Sequence, residues 1–232
     1  MIHPDLTIII HVYNRQNALD EHIANWELLP PQYRNKIEII CIDDHSDTPL
    51  FARSKNLNLR LFRVLDDIDW NMPGCKNLGA IHAKADWILF HDVDNFPRVT
   101  DLCRIIDSIE SLEKSTLYRF ARSINGEMVE SHINTLLLSK DGFFKAGMID
   151  EDFAGHYGYE DVHFNMIWVK KIGSSIIFDD IIFYEKDLKT EKLDRDTSRN
   201  QILGTNKIYL QDYSNSVGKL RFNWTEVRVE QT

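Results

Sequence analysis

The chain has 232 residues, and its 43% apolar and 27% charged content are the proportions of a folded globular protein, which excludes a disordered or collagen-like chain. Asp and Glu total 36 against 27 Lys and Arg, a net charge of −9 that repels phosphate backbones over the general surface and argues against nucleic-acid binding. A site for a phosphorylated small molecule would therefore need a metal ion or a local cluster of cations. Cys41, Cys75 and Cys103 follow no metal-like spacing and read as reduced, mostly buried thiols. No basic stretch precedes an apolar run at the start, and no apolar run nears the ~20 residues that span a bilayer. The expectation is a soluble, cytoplasmic protein with no transmembrane segment.

In chain order, Leu6 to Val12 is an apolar, β-branched run and reads as a strand buried on both faces. Asn17 to Leu29 has helical spacing, and Pro30-Pro31 stops it. Ile37 to Ile42 is a second buried strand, ended by Asp43-Asp44-His45-Ser46-Asp47, and Leu57 to Leu65 alternates as a third. Pro73-Gly74 opens a helix through Ala85, and Trp87 to Phe90 is a fourth strand that runs into His91-Asp92-Val93-Asp94-Asn95. This order is that of an α/β fold with a mainly parallel central sheet and helices on both faces. Further on, the spacing predicts a helix over 101–112, strands over 116–121 and 133–138, a short helix over 141–146, a helix over 162–171 and a strand over 176–178. Gly155 to Asp161 is a Gly- and Tyr-rich loop, and 185–200 is almost wholly polar and reads as a surface segment.

In an open α/β sheet, ligands bind beyond the carboxyl ends of the strands. Three such ends carry polar residues here: Tyr13-Asn14-Arg15, Asp43-Asp44-His45 and Asp92-Val93-Asp94. One acidic turn is what Asp ordinarily does at turns and helix caps; three at one sheet edge ask for more. Asp92 and Asp94 alternate, so in extended backbone they share a face. Unpaired they would repel, and a hard divalent cation with oxygen ligands removes that cost. The first strand-to-helix turn has no Gly, so the dinucleotide fingerprint is absent.

Four segments, LTIIIHVYNR, IEIICIDDHSD, PGCKNLGAIHAKADWILFHDVDN and FFKAGMIDEDF…GHYGYEDVHF, resemble in order and spacing the inverting nucleotide-sugar glycosyltransferases of the GT-A fold, family 2. The resemblance covers roughly residues 5–180. It implies one GT-A (Rossmann-like) domain, with a nucleotide-sugar half over 1–100, an acceptor half over 101–185, and a polar segment and C-terminal extension over 186–232. It also implies a nucleotide-sugar donor (a UDP-sugar), Mn²⁺ or Mg²⁺, and a glycan or glycoconjugate acceptor. Val12, Tyr13 and Arg15 match the loop lining the nucleotide pocket, Asp43 and Asp44 the acidic pair facing base and ribose, and Lys76 the basic residue of the R-N-x-G segment. Asp92-Val93-Asp94 matches DxD, with Asp94 the metal ligand and Asp92 near the ribose and the metal. Glu160 and Asp161 match the acceptor-side pair whose Asp is the general base; His156 and Trp70 fall on the acceptor side.

The chain departs from the family in places. Tyr159 stands where a second Gly is common, and either narrows the acceptor pocket or simply packs. Glu185 stands near a frequent His ligand, and either binds the metal or is a solvated acid. Trp70 either lines the cleft or packs in the core, the commoner fate of so large a ring. Arg195 and Arg199 either close over the diphosphate or belong to a solvated linker. Two other functions fit parts of the pattern: a haloacid-dehalogenase-type phosphatase with Asp92 as nucleophile and Asp94 as acid/base, and a catalytically silent sugar-nucleotide-binding module.

Overall fold

The apolar runs with no polar alternation become the central strands. In chain order the first half is β1 (Leu6–Val12), α1 (Gln16–Glu27), α2 (Pro31–Arg34), β2 (Ile37–Asp43), β3 (Arg53–Ser54), β4 (Leu59–Val64), α3 (Met72–His82) and β5 (Trp87–His91). There follow β6 (Asn95–Pro97), α4 (Val99–Ser108), β7 (Leu117–Ile124), β8 (Glu127–Val129), β9 (Leu136–Ser139), α5 (Lys140–Ala146), α6 (Glu160–Lys171), β10 (Ser175–Glu185), α7 (Ser198–Leu210), β11 (Trp224–Val227) and β12 (Glu230–Gln231). The computed structural model describes residues 3–186, 194–210 and 219–231.

The main sheet runs β11-β4-β2-β1-β5-β9-β7-β10-β6, with β8 paired to β7. Its centre, β4-β2-β1-β5, is wholly parallel. Beyond β5 it becomes mixed: β9 is antiparallel to β5 and β7, β10 is parallel to β7, and β6 is antiparallel to β10. The fold class is the expected α/β one.

The period of two along β1 builds both halves of the core. Leu6, Ile8, Ile10 and Val12 pack with Leu19, Ile23 and Trp26 of α1 and Leu102, Ile105 and Ile106 of α4. Ile9 faces the other way, into a cluster with Leu78 of α3, Phe143 of α5 and Phe164, Ile167 and Trp168 of α6. α3 lies so close to β1 that a Cβ on Gly79 would sit 2.4 Å from Cγ2 of Ile9. Gly79→Ala is therefore expected to cost about 1–3 kcal/mol by overpacking, read as a lower midpoint in urea with an unchanged slope.

From β1 the chain steps outward through β2 to β4, then returns to place β5 on the other side of β1. The strand order thus reverses between β1 and β5, and a crevice opens beyond their carboxyl ends.

The later elements differ from the sequence reading. β10 runs 11 residues rather than three, with a register shift between Phe178 and Ile182 where it pairs with β7. α7 begins at the end of the stretch read as a polar surface segment and runs on into the C-terminal extension, for which no element was read; residues 187–193 of that stretch lie outside the described residues. The inner face of α7 carries Asn200, Gly204 and Lys207, so no apolar stripe announced it. Lys207 is buried between Asp150 at 2.8 Å and Asp152 at 2.6 Å. β11 pairs antiparallel with β4 and extends the parallel half of the sheet at its edge. Among the described residues, no helix is long and apolar enough to cross a membrane.

Candidate active site

The turns after β1 and β2 are bound to each other. Asn14, in the left-handed region at φ +52°, accepts from the Asp47 amide at 2.8 Å, and its own amide donates to Ser46 Oγ at 2.9 Å. Asp43 points into the turn: its carboxylate accepts from the amides of Ser46 (2.9 Å) and Leu50 (3.0 Å) and pairs with Arg63. It and the buried Val12 build the wall without lining the cleft. Asp44 does line it, and its Oδ1 is buried with no hydrogen-bond partner. Burial pushes its carboxyl up to about 7, with the Cys75 and Asn71 side chains opposing that rise.

β5 ends at His91, so Asp92 and Asp94 do not sit on one strand face as the alternation suggested. A turn closed by the Asn95 amide on the Asp92 carbonyl (3.1 Å) brings both carboxylates into the cleft instead. Two histidines brace it from behind: His22 Nε2 lies 2.9 Å from the Val93 carbonyl, and His91 Nε2 meets the Asn95 carbonyl. Asp92 lies 3.1 Å from Nδ1 of His132 and 3.8 Å from Nζ of Lys76. Burial works against its charge, but Lys76 and His132 win and hold it well below the usual carboxylate range. His132 responds in kind: burial opposes its charge, yet the Asp92 carboxylate raises it overall. Asp94 is pushed up to about 7, first by burial and then by the charge of Asp92. Lys76 itself is buried behind this turn, donating to the Asn134 carbonyl (3.1 Å) and Oδ1 (3.3 Å).

The opposite wall comes from the start of α6. Gly158 and Tyr159 are both left-handed, at φ +81° and +70°, and swing Glu160 and Asp161 into the cleft. Glu160 is pushed up to about 8 by burial and then by Asp161. Asp161 is raised too, chiefly by burial, while its carboxylate accepts from the Val162 amide at 2.6 Å. The Tyr159 ring leaves the cleft and lies against Gly204 of α7, so of its two readings packing holds. Asn200 of α7 fixes this loop, its Nδ2 directed at the carbonyls of Phe153, His156 and Gly158 at 2.8–3.0 Å.

Together these walls enclose a cleft of about 310 Å³. Of the residues singled out from sequence, Tyr13, Arg15, Asp44, Trp70, Asp92, Val93, Asp94, His156, Glu160, Asp161 and Glu185 line it. Trp70 belongs to the cleft and not to the core: its ring is 4.6 Å from that of Tyr157, and its Nε1 donates to the Asp194 carbonyl at 2.7 Å. Arg195 also lines the cleft, whereas Arg199 donates to the Asp152 carbonyl at 2.7 Å. Sequence reasoning missed His11, Asp67, Asp69, His132, Asn134 and Tyr157. Only the Tyr-rich loop and the acidic run before Trp70 hinted at any of them.

Eight carboxylates and two guanidinium groups line this one cleft. An anionic ligand needs a cation to enter. Glu185 gives its carboxylate to Arg122 at 2.7 Å, and among the described residues no three His, Cys, Asp or Glu side chains gather as a complete metal site. Asp92 keeps a buried Oδ1 with no hydrogen-bond partner, beside Asp94. Two carboxylates of this kind fit a hard divalent cation whose remaining ligands are phosphate oxygens and water.

The family model for glycosyl transferase family 2 matches residues 7–166. No curated protein sequence matches the chain. Among solved structures, S. aureus TarS 1-349 in complex with UDP-GlcNAc superposes with a TM-score of 0.69 at 13% identity, over 93% of this chain and 68% of that one. S. aureus TarS 1-349 alone gives 0.62 at 15%, over 78% and 60%. The mannosyltransferase PcManGT from Pyrobaculum calidifontis, in complex with GDP-Man and Mn²⁺, gives 0.62 at 15%, over 82% and 59%. The chain thus spans about 59–68% of the length of these structures, and at such identities the likeness is one of fold.

Proposed function

Because the chain belongs to glycosyl transferase family 2, we propose that it moves a sugar from a nucleotide-sugar, a UDP-sugar, to a hydroxyl of a glycan or glycoconjugate with inversion at the anomeric carbon. The observation that carries this is the crevice at the strand-order reversal, where Asp92 and Asp94 meet Glu160 and Asp161 in one cleft. The solved structures that share the fold include one holding UDP-GlcNAc and one holding GDP-Man with Mn²⁺, which supports a nucleotide-sugar donor.

Single displacement needs three things from the protein: a base for the acceptor proton, charge compensation for the leaving diphosphate, and alignment. Asp161 is the base. Glu160, pushed up to about 8 by burial and then by Asp161, can donate a hydrogen bond that orients the acceptor. Asp94 and Asp92 would hold a Mn²⁺ or Mg²⁺, which would supply positive charge where the leaving diphosphate develops negative charge. Lys76 and His132 keep Asp92 ionised for that task. Asp44, an unsatisfied acceptor in the wall, suits the N3–H edge of uracil, with Tyr13, Arg15 and Val93 beside it in the cleft. Asp43 and Val12 serve by shaping the turn.

A phosphatase with Asp92 as nucleophile is disfavoured by the family and by the geometry, since Asp92 is already committed to His132 and Lys76. A silent binding module is disfavoured by the intact base and acid opposite the donor wall.

The deciding experiment is thermal denaturation with UDP-, GDP-, dTDP- and CMP-sugars, with and without Mn²⁺. A UDP-sugar at 100 times its Kd should add about 2.7 kcal/mol, or roughly 5–10 °C, and only with Mn²⁺ present. Stabilisation by GDP-sugars in preference to UDP-sugars would overturn the donor assignment. A product with the donor's anomeric configuration would overturn inversion.

A further inference from the structure

The mouth of the cleft holds groups that the transfer chemistry leaves unused. Trp70 is in the left-handed region at φ +49°, a conformation that a bulky residue keeps only where its surroundings enforce it, and one that gathers at ligand clamps. Its indole N–H is tied to the Asp194 carbonyl, and its ring meets Tyr157 at 4.6 Å and 54°. Arg195 lies over the Tyr157 ring at 5.7 Å, engaged as a cation on an aromatic face. Asp67 and Asp69 enter the same cleft on either side of Ile68. Burial and the nearby carboxylates of Asp47, Asp67, Asp69 and Asp44 all push the Tyr13 phenol up, so the negative potential extends across the mouth. The buried Oδ1 atoms of Asp44 and Asp92, neither of which accepts a hydrogen bond, belong to residues lining the same cleft.

We infer that this mouth selects an uncharged saccharide as acceptor: one sugar ring lays its C–H face on the Trp70–Tyr157 pair, its hydroxyls donate to Asp67 and Asp69, and acceptors bearing phosphate are turned away. The inference rests on the transferase reading above and names its second substrate. Aromatic faces take the apolar side of a sugar ring. Carboxylates accept from hydroxyls but not from a phosphate dianion, and like charges brought together in a partly desolvated cleft are costly. The cation that would admit the donor diphosphate would be held by Asp92 and Asp94, and among the described residues the eight carboxylates of the cleft outnumber its two guanidinium groups, so a second anion meets net repulsion.

The test uses the full chain with Mn²⁺ and its best-binding UDP-sugar. Release of UDP is followed with neutral methyl glycosides and disaccharides, and with the 6-phosphates of the same sugars. Neutral sugars should accelerate release, and their phosphates should be at least about tenfold poorer in kcat/KM. Trp70→Ala should raise the acceptor KM about tenfold, and Trp70→Phe only a few-fold, with UDP affinity by calorimetry unchanged in both. The Asp67→Asn/Asp69→Asn pair should narrow the gap between a sugar and its phosphate. Equal or better turnover of the phosphates, an unchanged acceptor KM in Trp70→Ala, or no response to any neutral sugar while UDP binds normally would each overturn the proposal. Failure of UDP to bind at all would instead overturn the transferase reading, and this proposal with it.

Discussion

Asp161→Asn should fold, bind donor and metal as the wild type does, and lose about 10²–10⁴ of kcat, the usual contribution of a positioned base. Asn keeps the size of the side chain and can still accept from the Val162 amide, so only the proton-accepting power is removed. If Asp161 merely capped α6, Asn would cap it as well, turnover would stay near normal, and even truncation to Ala would cost only about 1 kcal/mol. The pH profile adds a second readout. Burial raises the Asp161 pKa above its ordinary value, and a base works only when deprotonated. The rate should therefore fall as pH drops through that raised value, on a limb above the ~4 of an exposed Asp, and the limb should be missing in Asp161→Asn. Turnover within a few-fold of wild type would remove Asp161 from the mechanism.

Asp94→Ala has the other large expected effect. Removing a carboxylate that binds the cation should lower donor affinity in Mn²⁺ by more than the ~10–100-fold seen for supporting residues, down to the affinity measured without metal. Without metal, the variant should melt no lower than wild type. The folded Asp94 pKa of about 7 lies above its unfolded value, so its ionised form opposes folding above pH ~4. Removing it relieves that cost near neutrality, and the relief disappears once both states are protonated at low pH. Donor binding as tight as wild type in Mn²⁺ would refute the metal role.

How much of this was legible in the sequence depends on what each residue touches. The apolar runs of β1, β2 and β5 are buried on both faces, so their continuity declared them. The turns after β2 and β5 carry Asp44 and the Asp92–Asp94 pair, and they stood out for that reason. α7 was not legible: its buried side holds Asn200 and Lys207, each satisfied by partners from residues 150–158 that no local pattern reveals. His132 was equally silent, since what distinguishes it is a carboxylate 40 positions earlier. Tyr159 could be read only in part. A Tyr in place of a family Gly left open a narrowed acceptor pocket or simple packing, and its ring lies toward α7, beside Gly204.

The pairing of β11 with β4 bears on how the molecule is made. Glu226 grips Arg60 from 166 residues further along the chain, so a nascent chain has emitted almost every other strand before this partner leaves the ribosome. Until then β4 offers an unsatisfied row of amides and carbonyls to any neighbouring chain, and such an edge is where cotranslational misassembly begins. Closing so long a loop is entropically mild, because the cost rises only with the logarithm of its length, but it is slow. Arg60 and Arg63 flank the apolar residues of that waiting strand, and their charges keep it from being a flat, greasy template while it waits.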